Sequence, residues 1–158
     1  MAILDERTEF ADAVSVAATA GTANIGDIID SSVVSDLVHA QIYLVINVDT
    51  EIITGGNAGT LKFQLVSDAT STVATDGSAT VHAASQAYVT DGTDANDAQL
   101  KAGGYPLVIA LPGEGALYER YLAVQAVTAT TTTTAGAINA YLTLDPPTSL
   151  KSFADAAN

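Results

Sequence analysis

The sequence predicts an all-β fold, an antiparallel β-sandwich of about eight strands. Three observations point there. Apolar residues recur at the two-residue period of half-buried strands. Gly, Asn, Asp and Pro gather between those segments, where they supply turn conformations. No segment keeps a 3.6-residue period for long, so helices are confined to short turns.

Four strands are explicit in the alternation. In residues 40–48, Ile42, Leu44, Ile46 and Val48 share one face. Leu61, Phe63 and Leu65 oppose Lys62, Gln64 and Val66. Leu122, Val124 and Ala126 alternate with Tyr121, Ala123 and Gln125, and Ile138, Ala140, Leu142 and Leu144 alternate with Asn139, Tyr141 and Thr143. Less regular strands are expected at 14–18, 25–29, 80–83 with 87–90, and 105–111. Helical turns are expected at 31–38 and 95–101, and the β-branched run Thr130–Thr134 reads as a strand edge or exposed loop. The chain of 158 residues then divides into one domain, 1–158: an N-terminal arm over 1–12, a sandwich over 13–145 and a short C-terminal tail over 146–158. Pro146-Pro147 ends the sheet because proline donates no ladder hydrogen bond.

Composition excludes several classes. Eighteen acidic side chains against five basic ones give a formal charge of −13, and Arg7, Lys62, Lys101, Arg120 and Lys151 stand far apart. Nucleic acid and anionic membranes are therefore not expected partners. With no cysteine there is no disulfide framework and no thiolate metal site. The longest apolar run, Ile42 to Ile46, is too short to cross a bilayer. The acidic start lacks the basic and apolar stretches of a signal peptide, so synthesis in a cytoplasm is expected.

No enzyme is expected, and no cofactor. His39 and His82 are the only histidines, and no Gly-x-Ser-x-Gly elbow or cysteine nominates a nucleophile beside them. Asp91-Gly-Thr-Asp94-Ala-Asn96-Asp97 is rich in oxygen ligands, but Gly92 follows the first Asp and residues 98–102 hold no closing carboxylate, so it reads as a surface loop rather than a calcium site. The glycine-rich segment 55–59 lacks the Gly-Lys-Ser/Thr ending of a phosphate loop and reads as a turn.

Binding is what remains. Tyr118-Glu119-Arg120-Tyr121 opens a strand with two aromatics and a rare arginine, residue types enriched at interface hot spots; an intramolecular salt bridge or a tyrosine cap on the sandwich end is the equal alternative. Ile3, Leu4 and Phe10 in the arm and Leu150 and Phe153 in the tail are apolar groups with no core of their own. They join Tyr118, Arg120 and Tyr121 as expected contacts with a protein partner or another copy of the chain.

Several stretches together resemble the capsid cement, or decoration, proteins of short-tailed bacteriophages. They are Ile3-Leu4-Asp5, Phe10-Ala11-Asp12-Ala13, Thr19 through Asp27, Gly59 through Asp68, Leu111-Pro112, Tyr118 through Val124, and Thr134 through Thr143. The resemblance covers most of the chain and rests on the order and spacing of these stretches. It implies a jelly-roll fold and a symmetric homo-oligomer, a dimer in preference to a trimer. That oligomer would lie on the outside of an icosahedral shell, reinforcing contacts between major capsid protein subunits, with no catalytic residues. The expected location is the virion, on the outer capsid surface. An acidic surface suits that outer face, away from packaged DNA. The alternative is a secreted or surface β-sandwich binding module of adhesin or carbohydrate-binding type; it needs an export route and a ligand platform, and the chain has no Trp. A hydrolase built on His39 or His82 is a third and remoter reading.

Overall fold

The structure, a computed structural model, describes residues 6–32, 41–55, 59–90, 98–113 and 115–147. Nine strands run through them: β1 Glu9–Ser15, β2 Gly21–Asp30, β3 Tyr43–Thr54, β4 Gly59–Asp68, β5 Thr80–Ala84, β6 Tyr88–Thr90, β7 Leu107–Ala110, β8 Tyr121–Ala129 and β9 Thr133–Thr143. Single 3₁₀ turns lie at Glu6–Thr8 and Ala98–Leu100. The strands form two antiparallel sheets, one in the order β1-β9-β3-β7 and the other in the order β2-β8-β4-β5. β5 pairs with Gln64–Ser67 and β6 with Gly59–Leu61, so the two occupy one position along β4. Ser85 bridges the gap between them: its hydroxyl accepts from the Phe63 amide at 3.0 Å and its amide donates to the Phe63 carbonyl at 2.8 Å. Each sheet thus has four strand positions, interleaved in the double Greek-key order of a jelly roll.

The alternating residues build the core. Leu44, Ile46, Leu61, Phe63, Leu65, Leu122, Val124, Ile138, Ala140 and Leu142 all lie in one buried cluster between the sheets. Leu144 does not; it follows β9 and is 64% exposed. Leu100, at the expected turn near 95–101, is fully buried in the same cluster.

The arm expected over residues 1–12 requires correction. Glu9–Ser15 is a sheet strand, and Phe10 is 1% exposed at the heart of the core. Register shifts on either side of Ala11 break the alternation, so the adjacent Phe10 and Ala11 both pack inward and Ala13 takes a positive φ of 49°. A bulged strand has no two-residue signature in its sequence. The β2 partner is bulged too, between Ile25 and Ile29, with Gly26 at φ 68°. There the chain runs so close to β1 that a Cβ on Gly26 would strike the Phe10 carbonyl oxygen.

Every sheet edge is interrupted. β1 and β2 carry bulges, β5 and β6 are separated by residues 85–87, and β7 is four residues long between Pro106 and Pro112. Such edges resist adding a foreign strand.

The outer face of the five-stranded sheet is covered as well. The segment 69–79 lies over it and builds a second small core from Val66, Val73, Ala79 and Ala123. An amide ladder runs beneath. Gln64 Nε2 donates to Gln125 Oε1 at 2.9 Å, and Gln125 Nε2 donates to Asn24 Oδ1 at 2.9 Å and to the Ala74 carbonyl at 2.8 Å. Asn24 Nδ2 in turn donates to the Val73 carbonyl at 2.8 Å. Buried amides without partners would be costly, and the ladder satisfies them.

Candidate interaction surface

The segment before β8 closes one end of the sandwich, and three of the expected contact residues, Tyr118, Arg120 and Tyr121, meet there. β2 and β4 flank β8, so Asp30 and Asp68 stand beside Tyr121 on either side. Arg120 folds onto Asp30 in a bidentate pair, Nη2 to Oδ2 at 2.7 Å and Nε to Oδ1 at 3.0 Å. Its guanidinium also lies 5.0 Å from the Tyr121 ring centroid. Ser31 ties the same corner, donating from its amide at 2.8 Å and its hydroxyl at 2.9 Å to the Arg120 carbonyl. The Arg120 and Ser32 donors hold the Asp30 carboxyl well below the usual carboxylate range. Arg120 therefore serves the intramolecular alternative, and Tyr121 packs against the second core. The Asp68 carboxylate caps the segment behind, accepting from the Ala74 amide at 3.0 Å and the Thr70 amide at 2.9 Å.

Tyr118 is placed by β4 and β5. Its ring stacks on His82 with centroids 3.8 Å apart and planes 15° from parallel. His82 Nε2 lies 2.7 Å from Ser67 Oγ, which also accepts the Glu119 amide at 3.0 Å. The Thr80 hydroxyl donates to Glu119 Oε1 at 2.9 Å. Burial lowers the pKa of His82, opposed by the nearby Glu119 charge, and burial raises that of the Tyr118 phenol. A serine hydroxyl beside an imidazole is the geometry of an activated nucleophile. Ser67 is fully buried, however, and its hydroxyl is engaged on both sides. The buried hydroxyl ties the segment before β8 to β4 and β5. Among the described residues no group of three or more His, Asp or Glu is placed to hold a metal ion.

Beside the half-exposed Arg120 side chain, this end also presents apolar surface to solvent. Leu117 is 89% exposed and Tyr118 37%, and Val81, next to His82, is 50% exposed. Isolated exposed aliphatics are ordinary on a protein surface. Here an exposed leucine stands next to a partly exposed tyrosine on a segment fixed by a ring stack, a buried serine and an ion pair, so the patch is preorganised. Sequence reasoning singled out Tyr118 through its neighbours and passed over Leu117, since only the placed backbone shows that it points outward.

The other expected contacts divide. Phe10 is a core residue, unreachable by any partner in the folded domain. Ile3, Leu4, Leu150 and Phe153 lie outside the described residues, as do His39 and the oxygen-rich stretch 91–97. No helix among the described residues is long and apolar enough to cross a membrane. No protein-family model matches the chain, and no curated protein does.

Proposed function

We propose that the chain is a structural virion protein that binds the outer surface of an icosahedral phage capsid and cements neighbouring major capsid protein subunits. The reading is non-enzymatic. It is supported by the ordered resemblance to capsid cement proteins, by a jelly roll with interrupted edges, and by the acidic charge of −13, which suits a surface facing away from packaged DNA. The observation that carries it is the rigid apolar end at Leu117 and Tyr118, held out to solvent by the His82 stack and the Arg120–Asp30 pair. Each copy offers a modest contact. A homo-oligomer, preferably a dimer, engages several subunits at once, and the later contacts become effectively intramolecular, with a gain of ~10²–10⁴ over one contact.

Purified protein added to capsid shells that lack it provides the test. Wild type should cosediment to saturation, and Leu117→Asp with Tyr118→Ser should bind at least ~10-fold more weakly while melting as a folded domain. Equal binding by that variant would remove the assigned surface.

A further inference from the structure

The hydrogen bonds around Ser67 are complete in one protonation state of His82 and incomplete in the other. Ser67 is fully buried; its Oγ accepts the Glu119 amide at 3.0 Å and lies 2.7 Å from His82 Nε2. A hydroxyl donates one hydrogen and accepts up to two. With Nε2 bare, the Ser67 hydroxyl donates to the ring and accepts from Glu119, and its hydrogen is satisfied. With a proton on Nε2, two donors converge on Oγ and the hydroxyl hydrogen loses its acceptor at a buried position, which is destabilising. Among the described residues, the titratable and charged groups facing the ring are Tyr118, stacked on it at 3.8 Å, and Glu119. On β4, alternation turns Asp68 to the other side of the sheet from Ser67, where it caps the Thr70 and Ala74 amides. On β5 the neighbours Thr80, Val81 and Ala83 carry no charge, and Arg120 is folded onto Asp30. An aromatic face and a carboxylate both welcome an imidazolium. Glu119 Oε1 already accepts the Thr80 hydroxyl, however, and burial of the ring outweighs the Glu119 charge.

We infer that the His82–Ser67 hydrogen bond is a pH-sensitive lock on the segment before β8, and that protonation of His82 opens it while the sandwich stays folded. An imidazolium gains solvation by turning outward, and the ring is only partly buried. Its departure takes the platform from under Tyr118. Water then reaches Ser67 and competes for the Glu119 amide. The opening stops at Arg120. The bidentate Asp30 pair and both Ser31 bonds hold that residue to the end of β2, and Tyr121 begins a ladder paired on both sides. Leu117, Tyr118 and Glu119 are therefore the residues freed, and an opening of this size costs less than unfolding the domain. The exposed Leu117 and Tyr118 are thus fixed near neutral pH and loosened in mild acid. That consequence for docking rests on the contact surface proposed above, whereas the lock is a property of the isolated chain.

Amide hydrogen exchange in the full chain tests the lock, each rate referred to that of an unstructured peptide at the same pH, with the His82 ring titrated by NMR on the same sample. Between pH about 7.5 and about 4.5 the Glu119 amide should lose at least ~10-fold of its protection in step with His82, while the Val124 amide in the middle of β8 keeps its own. In His82→Gln the Glu119 protection should not change with pH. A ring that stays neutral down to pH about 4.5, Glu119 protection that ignores the titration of the ring, or an equal loss at Val124 overturns the lock. So does the same fall in a folded His82→Gln chain. Should that variant not fold, the wild-type comparison of Glu119 with Val124 decides alone. No shell enters the experiment, so its failure is distinct from failure of the docking surface.

Discussion

His82 combines a ring stack, a buried hydroxyl partner and a pKa lowered chiefly by burial. The folded state favours the neutral imidazole. Its contribution is therefore complete above the ordinary value of 6.5 and is lost as pH falls from there toward the lowered folded value, because the unfolded chain takes up the proton first. Thermal melts from pH about 7.5 down to about 5 should show a falling midpoint in wild type and a flatter profile in His82→Gln. Identical slopes would remove the histidine from the lock. Asp30 acts further down the scale: its pKa is lowered, so its contribution is present above the ordinary carboxylate range and disappears only as pH falls well below it. An ion pair at Arg120 is one of the two readings the sequence allows, but neither its Asp30 partner nor the His82 stack is legible there. Fifteen positions separate His82 from Ser67 and ninety separate Arg120 from Asp30, and only the sandwich closes those gaps.

The strands that keep a strict alternation are legible at nearly full length; the bulged ones are legible only in part, 25–29 within β2 and 14–18 overlapping the end of β1. β3, β4, β8 and β9 announce themselves because one face is buried and the ladder is regular. β1 and β2 show less than their full length because bulges at Ala11 and Gly26 put neighbouring residues on the same side or reverse φ. Phe10 consequently looks in the sequence like part of an arm. Phe10→Ala should cost about 3–5 kcal/mol in chemical denaturation, the range for an aromatic removed from a packed core; a loss below about 1 kcal/mol would favour the arm after all. Gly26→Ala is expected to cost at least about 1 kcal/mol, since it combines a positive φ with a collision at the Phe10 carbonyl. Val66, Ala123, Gln64 and Gln125 also escaped notice. They sit on what periodicity calls the solvent face, and only the segment 69–79 folding over them makes them interior. Gln125→Ala leaves Gln64, Asn24 and the Ala74 carbonyl short of a partner and should cost about 1–3 kcal/mol.

At the scale of the whole molecule, the jelly roll leaves interrupted edges, one sheet face covered by the segment 69–79, and one apolar end at Leu117 and Tyr118. Deleting residues 1–12 would take Phe10 out of the core along with the arm, and the truncated chain should unfold at lower denaturant. Deleting residues 1–5 leaves β1 whole and should keep the melting midpoint; there a loss of shell binding would reflect contact rather than stability. The class of fold and the absence of local catalytic motifs are readable from composition and period, whereas the exposed end depends on which strands become neighbours. Quantitative mass spectrometry of purified particles tests the central claim most directly. The chain should be present at a fixed ratio to the major capsid protein set by the shell lattice, and accessible to a surface label on intact particles. Its absence from purified particles would contradict the account.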